Sequence, residues 1–228
     1  FCAKSKNQVL YFDVGSPPSK DFSKNYQSGP LSFEYFLDGI KIITNCGFGK
    51  DISPKVELLS RLTASQSTMT INDTSITKFE RNMLINNVFG NSIKNTFKVS
   101  DFKVKDEDNF IGCSITHNGY EKNFSCIHKR EICLDHENIK IKGVDHILKK
   151  SDGIPIRYVF RFHLNPQLKA VKTMSGNSAL IQISKNKSLI FTIKEENIEI
   201  EKSIYLAGKK ILDNTCLTIS GNLVNKDK

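Results

Sequence analysis

The sequence predicts an all-β fold, an antiparallel β-sandwich of many short strands with at most one or two short helices. Three observations predict it. Residues 124–134 and 157–164 alternate with the two-residue period of a strand. Runs of β-branched and aromatic residues recur at short spacing, with Gly, Asn and Asp between them. Asp38-Gly39 separates two such runs, and this dipeptide suits the positive φ angles of a tight hairpin turn.

Taken in order, residues 9–14 form a first apolar run closed by Gly15-Ser16-Pro17-Pro18. Residues 31–37 and 40–45 are the arms of the Asp38-Gly39 hairpin. Residues 54–62 read as one short helix, with Ser53 as N-cap and Pro54 in the first turn. Residues 68–71 are a short strand ending at Asn72-Asp73. In the 124–134 strand, Phe124, Cys126, His128, Arg130, Ile132 and Leu134 share a face. In the 157–164 strand, Tyr158, Phe160, Phe162 and Leu164 share one face, and Arg157, Val159, Arg161 and His163 the other. Strands over 179–184, 189–193, 198–206 and 211–219 continue the series, and residues 220–228 read as a fraying tail. With no repeat, linker or composition break, residues 1–228 are expected to form a single domain.

The 33 Lys and Arg exceed the 24 Asp and Glu, giving a formal charge of +9. Twenty-eight of these cations are Lys and five are Arg. Abundant Lys, Ile and Asn with no Trp is the pattern of A/T-rich coding, so most of the charge needs no anionic partner to explain it. The few arginines carry more information, because a guanidinium grips carboxylate or sulfate in two-point contacts that Lys does not reproduce. The Lys are dispersed and no nucleic-acid recognition motif is present, so no nucleic-acid partner is expected. No apolar run approaches the ~18–20 residues of a transmembrane helix, so no transmembrane segment is expected. The six cysteines form no C-x-x-C pair and read as buried free thiols. Metalloprotease, nucleophile-elbow, P-loop and dinucleotide signatures are all missing.

Four segments together resemble one family, the C-terminal domain of heparinase II/III-like bacterial polysaccharide lyases. The first is Gly29-Pro30-Leu31-Ser32-Phe33-Glu34-Tyr35, followed by Asp38-Gly39 and Ile42-Ile43-Thr44-Asn45-Cys46-Gly47. The second runs from Arg61 through Gln66-Ser67-Thr68 to Asn72-Asp73. The third joins Thr116-His117-Asn118-Gly119-Tyr120, Ile127-His128-Lys129-Arg130 and Ile141-Lys142-Gly143-Val144-Asp145. The fourth pairs Arg161-Phe162-His163-Leu164-Asn165-Pro166 with Ser203-Ile204-Tyr205-Leu206.

The resemblance implies a sandwich that packs on an N-terminal α/α toroid, and the non-Met start agrees with a segment lying upstream. It implies a uronate-containing acidic polysaccharide as partner and β-elimination as the reaction, with the Tyr base and the carboxylate-neutralising Asn or His on the toroid. No catalytic residue is expected in this chain. Family positions that hold a metal fall on Gln27, Asn45 and Gln66, with Asn25 in the same His-rich stretch. Amides are poor zinc ligands, so no metal and no cofactor are expected. Gln27, Asn45 and Gln66 are read either as a hydrogen-bonded remnant site facing the toroid or as ordinary amides.

His128 with Arg130, and Arg161 with His163, are candidates for a cationic sheet face gripping the glycan. The alternative is that they line a solvated face or satisfy nearby carboxylates. His117 is read in a turn-like segment, and Tyr120 as a structural tyrosine rather than a base. The functional expectation is a sandwich that completes the glycan cleft of a lyase, inactive by itself. A non-catalytic carbohydrate-binding or scaffold domain of a diverged lyase-like protein is the alternative. A bacterial origin is expected, with periplasm and cytoplasm both open.

Overall fold

The computed structural model describes residues 1–80, 82, 90–150 and 155–224. Among them, the first half carries β1 (Cys2–Ser5), β2 (Gln8–Phe12), β3 (Phe33–Leu37), β4 (Ile40–Thr44), helix α1 (Pro54–Ser60) and β5 (Met69–Ile71). Next come β6 (Val99–Glu107), β7 (Phe110–Tyr120), a one-turn helix α2 (Glu121–Phe124), β8 (Cys126–Asp135) and β9 (Ile141–Lys149). The chain continues through β10 (Ile156–Leu164), β11 (Lys169–Lys172), β12 (Ser178–Ser184), β13 (Lys187–Thr192), β14 (Ile198–Ala207) and β15 (Lys210–Leu223).

The hairpin at Asp38-Gly39 forms as its sequence dictates, with φ of 52° and 76° at the two turn residues. Helix α1 starts where Ser53 Oγ accepts the Val56 N–H at 3.2 Å, one of the orphan donors of a helix start. Residues 220–223 do not fray. They continue β15, and Leu223 faces Ile156 of β10 in the ladder.

The strands make three antiparallel sheets. The central one has the order β1-β2-β3-β4-β10-β15-β14, with β5 also pairing to β10. A four-stranded sheet follows as β6-β7-β8-β9, and a three-stranded one as β11-β12-β13. Both smaller sheets pack on the face of the central sheet that carries Tyr158, Phe160, Phe162 and Leu164. His128 of β8 meets the Phe160 ring at 5.8 Å, and Phe191 of β13 meets Phe162 at 4.9 Å. The shared core includes Leu10, Phe33, Ile71, Ile115, Leu134, Leu164 and Leu217, all nearly or fully buried. This is an all-β sandwich, with helices confined to connections.

Candidate functional site

The four residues expected on a cationic outer face are not all on one. Arg130 is 1% exposed, His128 0% and His163 3%. The correction follows from the strand period. His128 and Arg130 point to the same side of β8 as Cys126, Ile132 and Leu134, and that side is the sandwich interior. His163 is covered on the opposite face of β10, where its Nε2–H donates to the Ala64 carbonyl at 3.1 Å. Only Arg161 of the four keeps partial access to solvent.

Arg130 sits between two sheets. Its Nε and Nη2 donate to the two carboxylate oxygens of Asp145 at 2.7 and 3.1 Å. Its Nη1 crosses to the Leu31 and Ser67 carbonyls at 2.7 and 3.1 Å. Phe33 and Phe162 lie under the guanidinium at 5.5 and 5.9 Å. Asp145 also accepts from His128 Nε2 at 2.7 Å. Burial pushes its carboxyl upward, but Arg130 and His128 outweigh burial and hold it well below the usual carboxylate range.

The tautomers follow from the chain of bonds. Gly119 N–H donates to His117 Nδ1 at 3.1 Å, so the His117 proton is on Nε2. That proton is shared with His128 Nδ1 at 3.2 Å, leaving the His128 Nε2–H for Asp145. Both imidazoles are therefore neutral, and burial pushes both below the ordinary histidine range. Only glycine fits at 119, since a Cβ there would meet the Ile76 side chain at 2.4 Å. His117 is thus part of β7 and not of a turn. Tyr120 is equally committed, its hydroxyl near the Met69 and Thr74 carbonyls at 3.0 and 3.1 Å and its ionisation suppressed by burial. It is not available as a base.

Two of the three amides meet, and the third binds the adjacent backbone. Gln66, itself buried, donates Nε2 to the Ser60 carbonyl at 2.9 Å and reaches Gln27 Oε1 at 3.4 Å. Asn45 Oδ1 accepts the N–H of the neighbouring Ser67 at 2.8 Å. Beside them, Cys46 Sγ lies 3.5 Å from His163 Nδ1, and Ser203 Oγ 3.0 Å from the same nitrogen. Burial pushes the Cys46 thiol up to about 11, so it is no activated nucleophile. This donor set does not fit zinc. The Gln27 and Asn45 oxygens already accept hydrogen bonds within the chain, and imidazole and carboxylate are missing from the three amides. Among the described residues no three His, Cys, Asp or Glu are grouped to hold a metal. The shallow cleft beside Asn45 is lined by Asp13 and Glu34, the latter paired with Lys41 at 2.8 Å.

The sequence profile described as "Heparinase II/III-like, C-terminal" matches residues 2–225. The chain belongs to that family. This heparinase II/III-like domain is also similar to solved structures. A heparan sulfate lyase HepC from Pedobacter heparinus superposes with a TM-score of 0.75 at 14% identity, covering 97% of this chain and 32% of that one. A structure titled Heparinase III gives 0.67 at 16% identity, covering 96% and 32%. Among curated proteins, FtsZ-localized protein C of Caulobacter vibrioides is 25% identical over 225 residues, which is 95% of this chain and 37% of that protein. The domain therefore spans about a third of the length of these relatives.

Two parts of the site were missed by sequence reasoning. Asp145 carried no signal beyond the family resemblance, because its pairing with Arg130 depends on the β8–β9 register. Asp73 gives only a turn signal in the sequence, yet it meets both Arg157 and Arg161.

Proposed function

We propose that this domain is the sandwich of a polysaccharide lyase acting on uronate-containing acidic polysaccharide, and that it completes the glycan cleft. In that reaction a base takes the C5 proton beside the uronate carboxylate. The C4–oxygen bond breaks, a C4–C5 double bond forms, and an acid protonates the leaving oxygen. The enolate-like charge needs nearby cations or amides. The observation that carries the reading is the family match over residues 2–225 together with the lyase-like sandwich. Tyr120 and the buried histidines are all committed to structure, which agrees with the family resemblance in placing the base and the neutralising group on a toroid domain of the full-length protein.

A second reading is a non-catalytic binding or scaffold domain of a diverged lyase-like protein. The amides at Gln27, Asn45 and Gln66 favour it, as does the likeness to a protein named for its localisation with FtsZ. One experiment separates the two. Full-length protein is incubated with heparan sulfate, chondroitin sulfate, hyaluronan and alginate, and the ultraviolet absorbance of the unsaturated uronate is followed. A rise on any of them is the result the lyase reading expects, and no rise on all four favours the second.

A further inference from the structure

The described arginines divide sharply. Arg61 and Arg130 are buried, at 0% and 1% exposure. The two that reach solvent, Arg157 and Arg161, lie on one face of one strand, β10, and converge on one carboxylate. Arg157 Nη1 is 3.0 Å from Asp73 Oδ2, and Arg161 Nη2 is 3.8 Å from Asp73 Oδ1. The other amino group of Arg161 donates to Thr70 Oγ1 at 2.6 Å. In a chain that uses Lys for nearly all its cations, this concentration of Arg is not a by-product of composition.

Asp73 is held in place by its turn. Asn72 and Asp73 both adopt left-handed φ, 48° and 51°. The Asn72 N–H donates to the Arg157 carbonyl, and its Oδ1 accepts the Arg157 N–H, both at 2.8 Å. The turn is thus pinned to the strand that carries the two guanidiniums. One carboxylate between two guanidiniums leaves a net positive charge. The pair is also easily displaced, because Asp73 is 64% exposed and an exposed ion pair contributes little. On the same face, Ser220 and Asn222 stand exposed opposite Val159 and Arg157, ready to meet hydroxyls.

We infer that Arg157 and Arg161, the latter held by the buried Thr70 hydroxyl, form a binding site for a carboxylate or sulfate of an acidic glycan, and that Asp73 occupies it as an internal placeholder. The site rests on the acidic-glycan reading above but uses none of the three amides and needs no catalysis. Glycan binding displaces the Asp73 carboxylate into solvent and puts the glycan anion between the two guanidiniums.

The test uses this chain and isothermal titration calorimetry with heparan sulfate and hyaluronan oligosaccharides. Asp73→Asn keeps a residue that tolerates left-handed φ and removes the competing charge. Binding is expected to tighten roughly five-fold, the scale of a lost exposed ion pair. Arg157→Ala in the Asp73→Asn background is expected to lose that gain, with an unchanged thermal melt showing that the fold persists. Binding to both glycans assigns a carboxylate site, and binding to heparan sulfate alone a sulfate site. Equal affinity in all variants would mean diffuse attraction to lysines and overturn the inference, as would no binding by any variant. Silence of the full-length protein in the lyase assay, with the Asp73→Asn gain present, would remove the lyase reading and leave this site standing.

Discussion

Two Arg–Asp pairs in this domain have similar lengths and opposite expected energetics. Arg130 to Asp145 is 2.7 Å with the guanidinium buried, and Arg157 to Asp73 is 3.0 Å with both side chains about half exposed or more. Arg130→Ala leaves a largely buried carboxylate without a cation, held only by the neutral His128, and strips donors from the Leu31 and Ser67 carbonyls. Loss of about 3–5 kcal/mol is expected, read as a lower urea midpoint at unchanged m-value. Arg157→Ala should stay within about 0.5 kcal/mol in the same measurement. A comparable loss in both variants would mean that burial is not what separates the pairs. The i and i+2 spacing of His128 and Arg130 was legible in the sequence. So was their burial, since the same face carries Cys126, Ile132 and Leu134. Reading the two cations as an outer face gave their charge precedence over the period, whereas a buried Arg is stable when carbonyls, a carboxylate and aromatic rings receive it. Asp145 was not legible, because a partner fifteen positions away is chosen by hairpin register and leaves no mark on local spacing.

At the scale of elements, strands β7, β8 and β10 each bury a neutral histidine, and this ties the packing of the sheets to pH. His163 shows the effect most simply. Burial lowers it to about 4, against a hydrogen bond to the Ala64 carbonyl that raises it and with Arg161 adding to the lowering. The unfolded chain, with an ordinary value near ~6.5, therefore takes up the proton first. The contribution is complete above that value and is lost as pH falls from about 6.5 toward 4, reaching about 3 kcal/mol for this residue. His117 and His128 are shifted the same way, so their loss adds to it. Urea unfolding at pH 7.5 and pH 5 should show a clear drop in midpoint, and His163→Gln should flatten the drop. A midpoint that rises on acidification would contradict neutral, buried imidazoles. Legibility at this scale follows the apolar pattern. β3, β4, α1, β8 and β10 were readable because period, cap or turn chemistry agreed with their burial. β6, largely exposed in Val99–Glu107, was not, because its polar sequence forms a strand only by pairing with β7. The turn-like look of His117-Asn118-Gly119 was real but local. It marks a break in the β7–β8 register between His117 and Tyr120, and the strand continues through it.

For the whole molecule, the question is what holds a domain of this size together without staples. The sandwich class was legible because many short alternating runs admit few other architectures, and a polypeptide of 228 residues buries enough surface to support one. The split of the second layer into a four-stranded and a three-stranded sheet was not legible, because strand order depends on long-range pairing. All six cysteines are free thiols in this fold. Cys46, Cys113, Cys126 and Cys216 are buried, Cys133 is half-buried, and Cys2 is exposed. Burial pushes Cys113 and Cys216 up to about 12, as it pushes Cys46 to about 11, so the reactive thiolate is scarce at neutral pH even where a reagent could reach it. A thiol reagent such as Ellman's should therefore label Cys2 quickly in the native protein, Cys133 slowly, and the other four only on unfolding. The unfolding midpoint should be the same with and without reductant, and the same with and without a chelator, since packed apolar side chains and the bonds from Arg130 to the Leu31 and Ser67 carbonyls hold the sheets. Rapid native labelling of Cys46 or Cys216 would show that the outer face of the central sheet opens around His163. A midpoint that falls on reduction would show a cross-link between chains or within one, and would move part of the stability from the core to sulfur chemistry.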